Sequence, residues 1–128
     1  MVDKKFLIVD DSAAMRQLLI TAIKKLDAIK QLTVVEAMDG QDALRKFQDD
    51  LFDIVITDVK MPNMDGLSFI EKIRRELGNR TIPIVIISTK GDESDIERGI
   101  RAGANAYLLK PVSIIRLREI VTKLVDLQ

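Results

Sequence analysis

The stretch DIVITDVKMPNMDG, residues 53–66, sets the reading of the whole chain. Ile54 to Ile56 is a short β-branched apolar run without polar alternation, as in a strand buried on both faces. Asp58 follows it. Met61-Pro62-Asn63 and Asp65-Gly66 are turn signals, after which Leu67, Ile70, Ile73 and Leu77 recur at helical spacing. The segment is one strand–turn–helix unit with a carboxylate at the strand's carboxyl end.

The same order repeats on both sides of it. Apolar runs at Phe6 to Val9, Val34 to Val35, Ile84 to Ile87 and Tyr107 to Leu109 read as strands. Met15, Leu18, Leu19, Ala22, Ile23 and Leu26 form a helical stripe, as do Leu44, Phe47 and Leu51, and Ile114, Leu117, Val121 and Leu124. The fourth helix has a thin stripe, Ile96 and Ile100, and holds Gly99 at a cost of about 1 kcal/mol relative to Ala. Its start is marked by Ser94 and Glu97, spaced as a capping box, and by Asp92, Glu93 and Asp95. Regular alternation predicts one α/β domain over residues 1–128, a parallel sheet with helices on both faces. Right-handed crossovers restrict its topology, and its ligand crevice lies at the carboxyl ends of the strands.

Composition narrows the chemistry. Twenty Lys and Arg balance twenty Asp and Glu, so no basic excess points to nucleic acid. Without Cys there is no disulfide, thiolate nucleophile or thiolate metal site. Without His, Ser-His-Asp chemistry is excluded and any metal must be held by oxygen, favouring Mg²⁺, Ca²⁺ or Mn²⁺. No apolar stretch approaches the ~20 residues of a membrane span, and residues 1–11 lack a signal-peptide core. For 128 residues, area scaling allows about two-thirds of the unfolded surface to be buried, enough for a core without staples.

The crevice rule directs attention to the strand ends: Asp10-Asp11, Asp58, Ser88-Thr89 and Lys110-Pro111. An Asp at a strand end is often only a helix cap, and Asp10, Asp11 or Ser12 could each cap the first helix. Asp58 has no such role, because Val59-Lys60-Met61-Pro62 follows it. Three carboxylates brought together at ~4–6 Å repel by several kcal/mol per pair at an effective dielectric near 20. Such a cluster calls for a cation or for raised pKa values. Mg²⁺ needs few protein oxygens and also takes phosphate oxygens. Lys110 is a point charge suited to a phosphoryl group, and Ser88 is a hydroxyl donor. The pattern reads as a phosphoryl-transfer site with a carboxylate nucleophile.

These residues, in this order, resemble a response-regulator receiver domain of two-component signalling, the free-standing chemotaxis type most closely. The resemblance runs through Asp10-Asp11, Asp58 with Met61-Pro62 and Asp65-Gly66, Ser88, Gly103-Ala104, Tyr107 and Lys110-Pro111. It implies a doubly wound (βα)5 flavodoxin-like sandwich with strand order 2-1-3-4-5. It implies Asp58 as phospho-acceptor, with Asp11 binding Mg²⁺ directly, Asp10 largely through water, and the Lys60 backbone carbonyl as a further ligand; Mn²⁺ would also suit. Ser88 would reach the phosphoryl group, Lys110 would pair with it, the Lys110-Pro111 peptide would be cis, and Tyr107 would be the switch aromatic. Lys60 and Lys90 would flank the phosphate; as solvated lysines they could instead be inert, but our expectation is that they crowd the attacking water and lengthen its lifetime.

The implied function is a phosphorylation-activated switch in a cytoplasmic, bacterial setting. Its phosphoryl group would come from a histidine kinase or phosphotransfer protein. A downstream partner would dock on the face of the fourth helix, fifth strand and fifth helix. It would not be an enzyme beyond its own phosphoryl transfer and slow autodephosphorylation, and it would touch neither nucleic acid nor membrane. The absence of a linker between Met1 and Gln128 favours a single-domain regulator over the excised receiver of a longer DNA-binding or enzymatic one. Two other classes fit less well. A haloacid-dehalogenase-type phosphatase needs a second Asp where Lys60 stands, and an FMN carrier needs a phosphate loop where Asp10-Asp11 stand.

Overall fold

The computed structural model describes residues 2–125; Met1 and 126–128, with the terminal Gln128, lie outside it. Along the chain run β1 (Val2–Val9), α1 (Ala13–Lys24), β2 (Ile29–Ala37), α2 (Gly40–Gln48), β3 (Ile54–Thr57), α3 (Gly66–Glu71), β4 (Ile84–Ser88), α4 (Glu93–Ala102), β5 (Ala106–Leu109) and α5 (Ile114–Leu124). A π-helical turn, Lys72–Glu76, prolongs α3. All strand pairs are parallel, in the order β2-β1-β3-β4-β5. The predicted doubly wound sandwich is thus the observed one.

Period-two alternation along the strands divides the core in two. Phe6, Ile8, Ile54, Ile56, Val85 and Ile87 pack with Leu19 and Ile23 of α1 and Leu117 and Val121 of α5. Leu7, Val9, Val55, Ile84 and Ile86 face the other way, onto Ala43 and Phe47 of α2, Phe69, Ile70 and Ile73 of the α3 segment, and Ala102. β3 and β4 are buried throughout. At roughly 1.5–3 kcal/mol for each large apolar side chain, this burial dominates the stability of the fold.

The edges depart from the sequence expectation. β2 spans nine residues rather than two, because an edge strand exposes one face and tolerates Lys30, Gln31, Thr33 and Glu36. Four apolar residues assigned to helical stripes are exposed: Leu18, Leu51, Leu77 and Ile100. Leu51 lies past the end of α2 and Leu77 is the cap of the π-helical turn. The Ser94–Glu97 capping box does not form. α4 begins two residues earlier, at Glu93, with Asp92 as its cap residue and no side-chain cap bond. At α1 the cap is Ser12, whose Oγ accepts from Met15 N.

Candidate functional site

Ladder hydrogen bonds carry each polar residue to one end of the sheet. Asp10 N donates to Ala37 O at 3.1 Å, Asp58 N to Val9 O at 3.0 Å, and Lys110 N to Ser88 O at 2.8 Å. The last residues of β1, β3, β4 and β5 therefore open onto one crevice. Two devices fix the Asp58 backbone. The Thr57 hydroxyl donates to its carbonyl at 2.9 Å. Gly66, starting α3, presses on that same oxygen so closely that an added Cβ would sit 1.9 Å from it. Only glycine fits there.

Within the crevice, carboxylate oxygens of Asp10, Asp11 and Asp58 lie within 4.8 Å of one another. Asp10 and Asp58 are buried, at 2% and 8% exposure, while Asp11 faces solvent. Lys110 Nζ donates to Asp58 Oδ2 at 2.9 Å and to Asp10 Oδ2 at 3.1 Å. Burial alone would push the Lys110 pKa down. The hydrogen bonds and negative charge of Asp58 and Asp10 outweigh it and hold the ammonium above the ordinary lysine value. The remaining oxygens have fixed donors: Ser12 N to Asp10 Oδ1 at 2.9 Å and Val59 N to Asp58 Oδ1 at 2.7 Å. The donor set is all oxygen, the chemistry that Mg²⁺ prefers.

Ser88 is buried at the end of β4, where its Oγ accepts from Lys90 N at 3.1 Å. It closes a turn rather than capping α4. The Tyr107 hydroxyl donates to Lys90 O at 2.6 Å, so the Lys90 backbone is held by both Ser88 and Tyr107. Burial raises the Tyr107 pKa, helped by the charges of Asp95 and Asp58. The Tyr107 ring lies against α4 at Gly99, where a Cβ would meet it at 2.9–3.0 Å and Ile86 Cδ1 at 2.8 Å. Gly99 is thus a contact requirement, not merely a weak point in the helix. The Lys60 and Lys90 side chains are exposed beside the crevice. The Lys110-Pro111 peptide is cis.

Sequence reasoning passed over Asp39 and Arg16. Asp39, in the turn dipeptide Asp39-Gly40, is buried. It accepts from Asp42 N at 2.8 Å and from Asn63 Nδ2 at 2.7 Å, tying the β2–α2 loop to the loop after Asp58. Arg16 on α1 donates to Asp10 O at 2.6 Å and to Glu36 Oε1 at 2.8 Å. A polar residue inside a turn signal was the only trace of the first, and nothing in the sequence pattern distinguished the second.

The model of the Response regulator receiver domain matches residues 6–122. The chain belongs to that family. The receiver is 32% identical over 115 residues to a chemotaxis protein CheY homolog of Campylobacter jejuni, covering 90% of this chain and 87% of that one. It is 36% identical over 110 residues to the probable transcriptional regulator ycf27 of Guillardia theta, of whose length it spans 41%. Among solved structures it is similar to the chemotaxis response regulator CheY4 of Vibrio cholerae. There the TM-score is 0.84 and the identity 30%, with 97% of this chain and 100% of that one covered. A putative response regulator from Chloroflexus aurantiacus superposes with a TM-score of 0.86 at 30% identity, with 95% and 97% covered. The receiver is therefore a two-component signalling domain of CheY-like fold. Domains of this family interact with histidine kinases or phosphotransfer proteins and typically bind Mg²⁺ in an acidic pocket. Among the described residues, no helix is long and apolar enough to cross a membrane.

Proposed function

We propose that this receiver takes a phosphoryl group onto Asp58 and uses it to reshape the surface formed by α4, β5 and α5. The observation that carries the reading is Lys110 seated between Asp58 and Asp10, beside a third carboxylate, at the carboxyl end of a parallel sheet. An Asp58 oxygen would attack the phosphorus of a phosphohistidine. The O–P bond forms, the P–N bond breaks, and the imidazole leaves with the electron pair. None of the 128 residues is a histidine, so the phosphohistidine lies outside this domain. Asp10, Asp11, Asp58 and the Lys60 carbonyl would hold Mg²⁺, with Mn²⁺ a substitute. When bound, the ion neutralises phosphoryl oxygens as charge develops. Lys110 would keep its place and exchange carboxylate oxygens for phosphoryl ones.

The new group brings nearly two negative charges and three strong acceptors. Ser88 would turn its hydroxyl to one of them and release Lys90 N. Tyr107, which shares that Lys90 loop, would then lose its carbonyl partner and move toward the space beside Ser88. The partner would read this on the α4–β5–α5 face. Lys60 and Lys90 would slow hydrolysis by crowding the water that attacks the acyl phosphate.

Beryllofluoride, a mimic of the aspartyl phosphate, tests the switch. With Mg²⁺, it should change amide chemical shifts at Ser88, Lys90, Tyr107 and along α4 and α5, and should change none of them in Asp58→Asn. Shifts confined to α1 and α2 would refute the assignment of the output face.

A further inference from the structure

At the end of the sheet opposite Asp58, four of the nine arginines meet in one place. A groove of about 410 Å³ between the α3 segment and the end of α4 is lined by Arg74, Arg75, Arg80, Ile100 and Arg101, with no carboxylate in its wall. The chain as a whole is neutral, so this is local segregation of charge.

Arg74 forms the floor. Its Nε and Nη2 donate to Gly103 O at 3.1 and 2.8 Å, its Nη1 to Asn79 O at 3.1 Å, and its Nη2 to Asn105 Oδ1 at 3.0 Å. These acceptors are neutral, so the half-buried guanidinium has no counter-ion among the described residues, and burial pushes its pKa down. It also occupies carbonyls at the end of α4 whose partial negative charge would otherwise repel an anion. The other three arginines are exposed. Arg75 and Arg101 are only loosely paired, with Glu71 at 3.8 Å and Glu97 at 4.0 Å. Ile100, at 47% exposure, gives the rim an apolar element.

We propose that this groove docks a short acidic segment of a partner protein, with its carboxylates on Arg75, Arg80 and Arg101 and an aliphatic side chain against Ile100. Planar guanidinium forks match carboxylates in pairs, and clusters of Arg are a recurring means of reading acidic motifs. Its Ile100 and Arg101 lie on α4, the helix whose Gly99 meets Tyr107.

The test is fluorescence anisotropy of the receiver with a labelled peptide Glu-Glu-Leu-Glu-Glu-Leu-Glu. The control ligands are its all-glutamine analogue, oligothymidylate and tripolyphosphate. Saturable binding of the acidic peptide is expected, weakening as salt rises. Binding should fall at least tenfold in Arg75→Glu/Arg80→Glu/Arg101→Glu. It should fall by a smaller factor in the milder Arg80→Ser/Arg101→Gln, which leaves Arg74 and its bonds intact. It should not change in Lys24→Glu, on an exposed face of α1. No saturable binding, equal binding by both arginine variants and wild type, or tighter binding of oligothymidylate or tripolyphosphate would overturn the proposal.

Discussion

Lys110 Nζ stands 2.9 Å from the Asp58 carboxylate, as an ion pair. The same ammonium reaches Asp10, so one lysine holds two buried carboxylates together. Removing it leaves those charges uncompensated. Lys110→Met is expected to lower stability by about 1–3 kcal/mol in metal-free buffer. Because the folded pKa of Lys110 is raised, the contribution is complete below the ordinary lysine pKa and lost only as pH climbs through the folded value. The melting-temperature gap between wild type and variant should therefore stay constant from neutral pH upward and close only in strong alkali. A gap that closes near neutrality would contradict this pairing.

Asp11 is the exposed member of the carboxylate cluster, and its side chain makes no hydrogen bond or ion pair among the described residues. Replacing it removes repulsion without removing a bond. In the presence of a chelator, Asp11→Asn should melt higher than wild type, by about 3–6 °C for each ~1 kcal/mol relieved. Added Mg²⁺ should raise the melting temperature of wild type but hardly that of the variant. A variant that melts lower in chelator, or gains as much from Mg²⁺, would count against a shared cation site.

Gly99 gives the Tyr107 ring its place. In Gly99→Ala, the gain of about 1 kcal/mol in helix propensity is set against about 1–3 kcal/mol of overpacking on Ile86 and Tyr107. Thermal denaturation should show no net stabilisation. Tyr107 is the single tyrosine and there is no tryptophan, so intrinsic emission reports on it alone. That emission should change in the variant before any phosphodonor is added. An unchanged spectrum with a higher melting temperature would show that the ring does not depend on Gly99.

Lys60 and Lys90 are exposed beside the crevice, two residues beyond Asp58 and Ser88. If they crowd the attacking water, Lys60→Asn should lose its phosphoryl group several-fold faster than wild type. Phosphate release after removal of the donor measures this. Equal decay rates would end the idea.

The alternation of buried strands and amphipathic helices was readable because Phe6 to Val9 of β1 and all of β3 and β4 are buried and carry uninterrupted apolar runs. β2 was only partly visible, since an edge strand obeys no such rule, and Leu51 misled because an isolated apolar residue can sit in solvent. Asp10, Asp11, Asp58 and Lys110 stood out as ionisable residues directly after strands. Asp39 and Gly99 did not. The first works through a hydrogen bond to Asn63, 24 residues away, and the second through close contact with a ring on another element. Neither relationship has a period or a spacing. The arginine groove is of the same kind, assembled from three separate stretches of chain.

The central claim is tested most directly by locating the phosphoryl group itself. The receiver is incubated with acetyl phosphate and Mg²⁺, trapped in acid, and read as an intact mass and then by peptide fragmentation. The account predicts one added phosphoryl group, carried on Asp58 and missing both in Asp58→Asn and after chelation of the metal. A folded protein that gains nothing, or that carries the group on another residue in wild type, would contradict it.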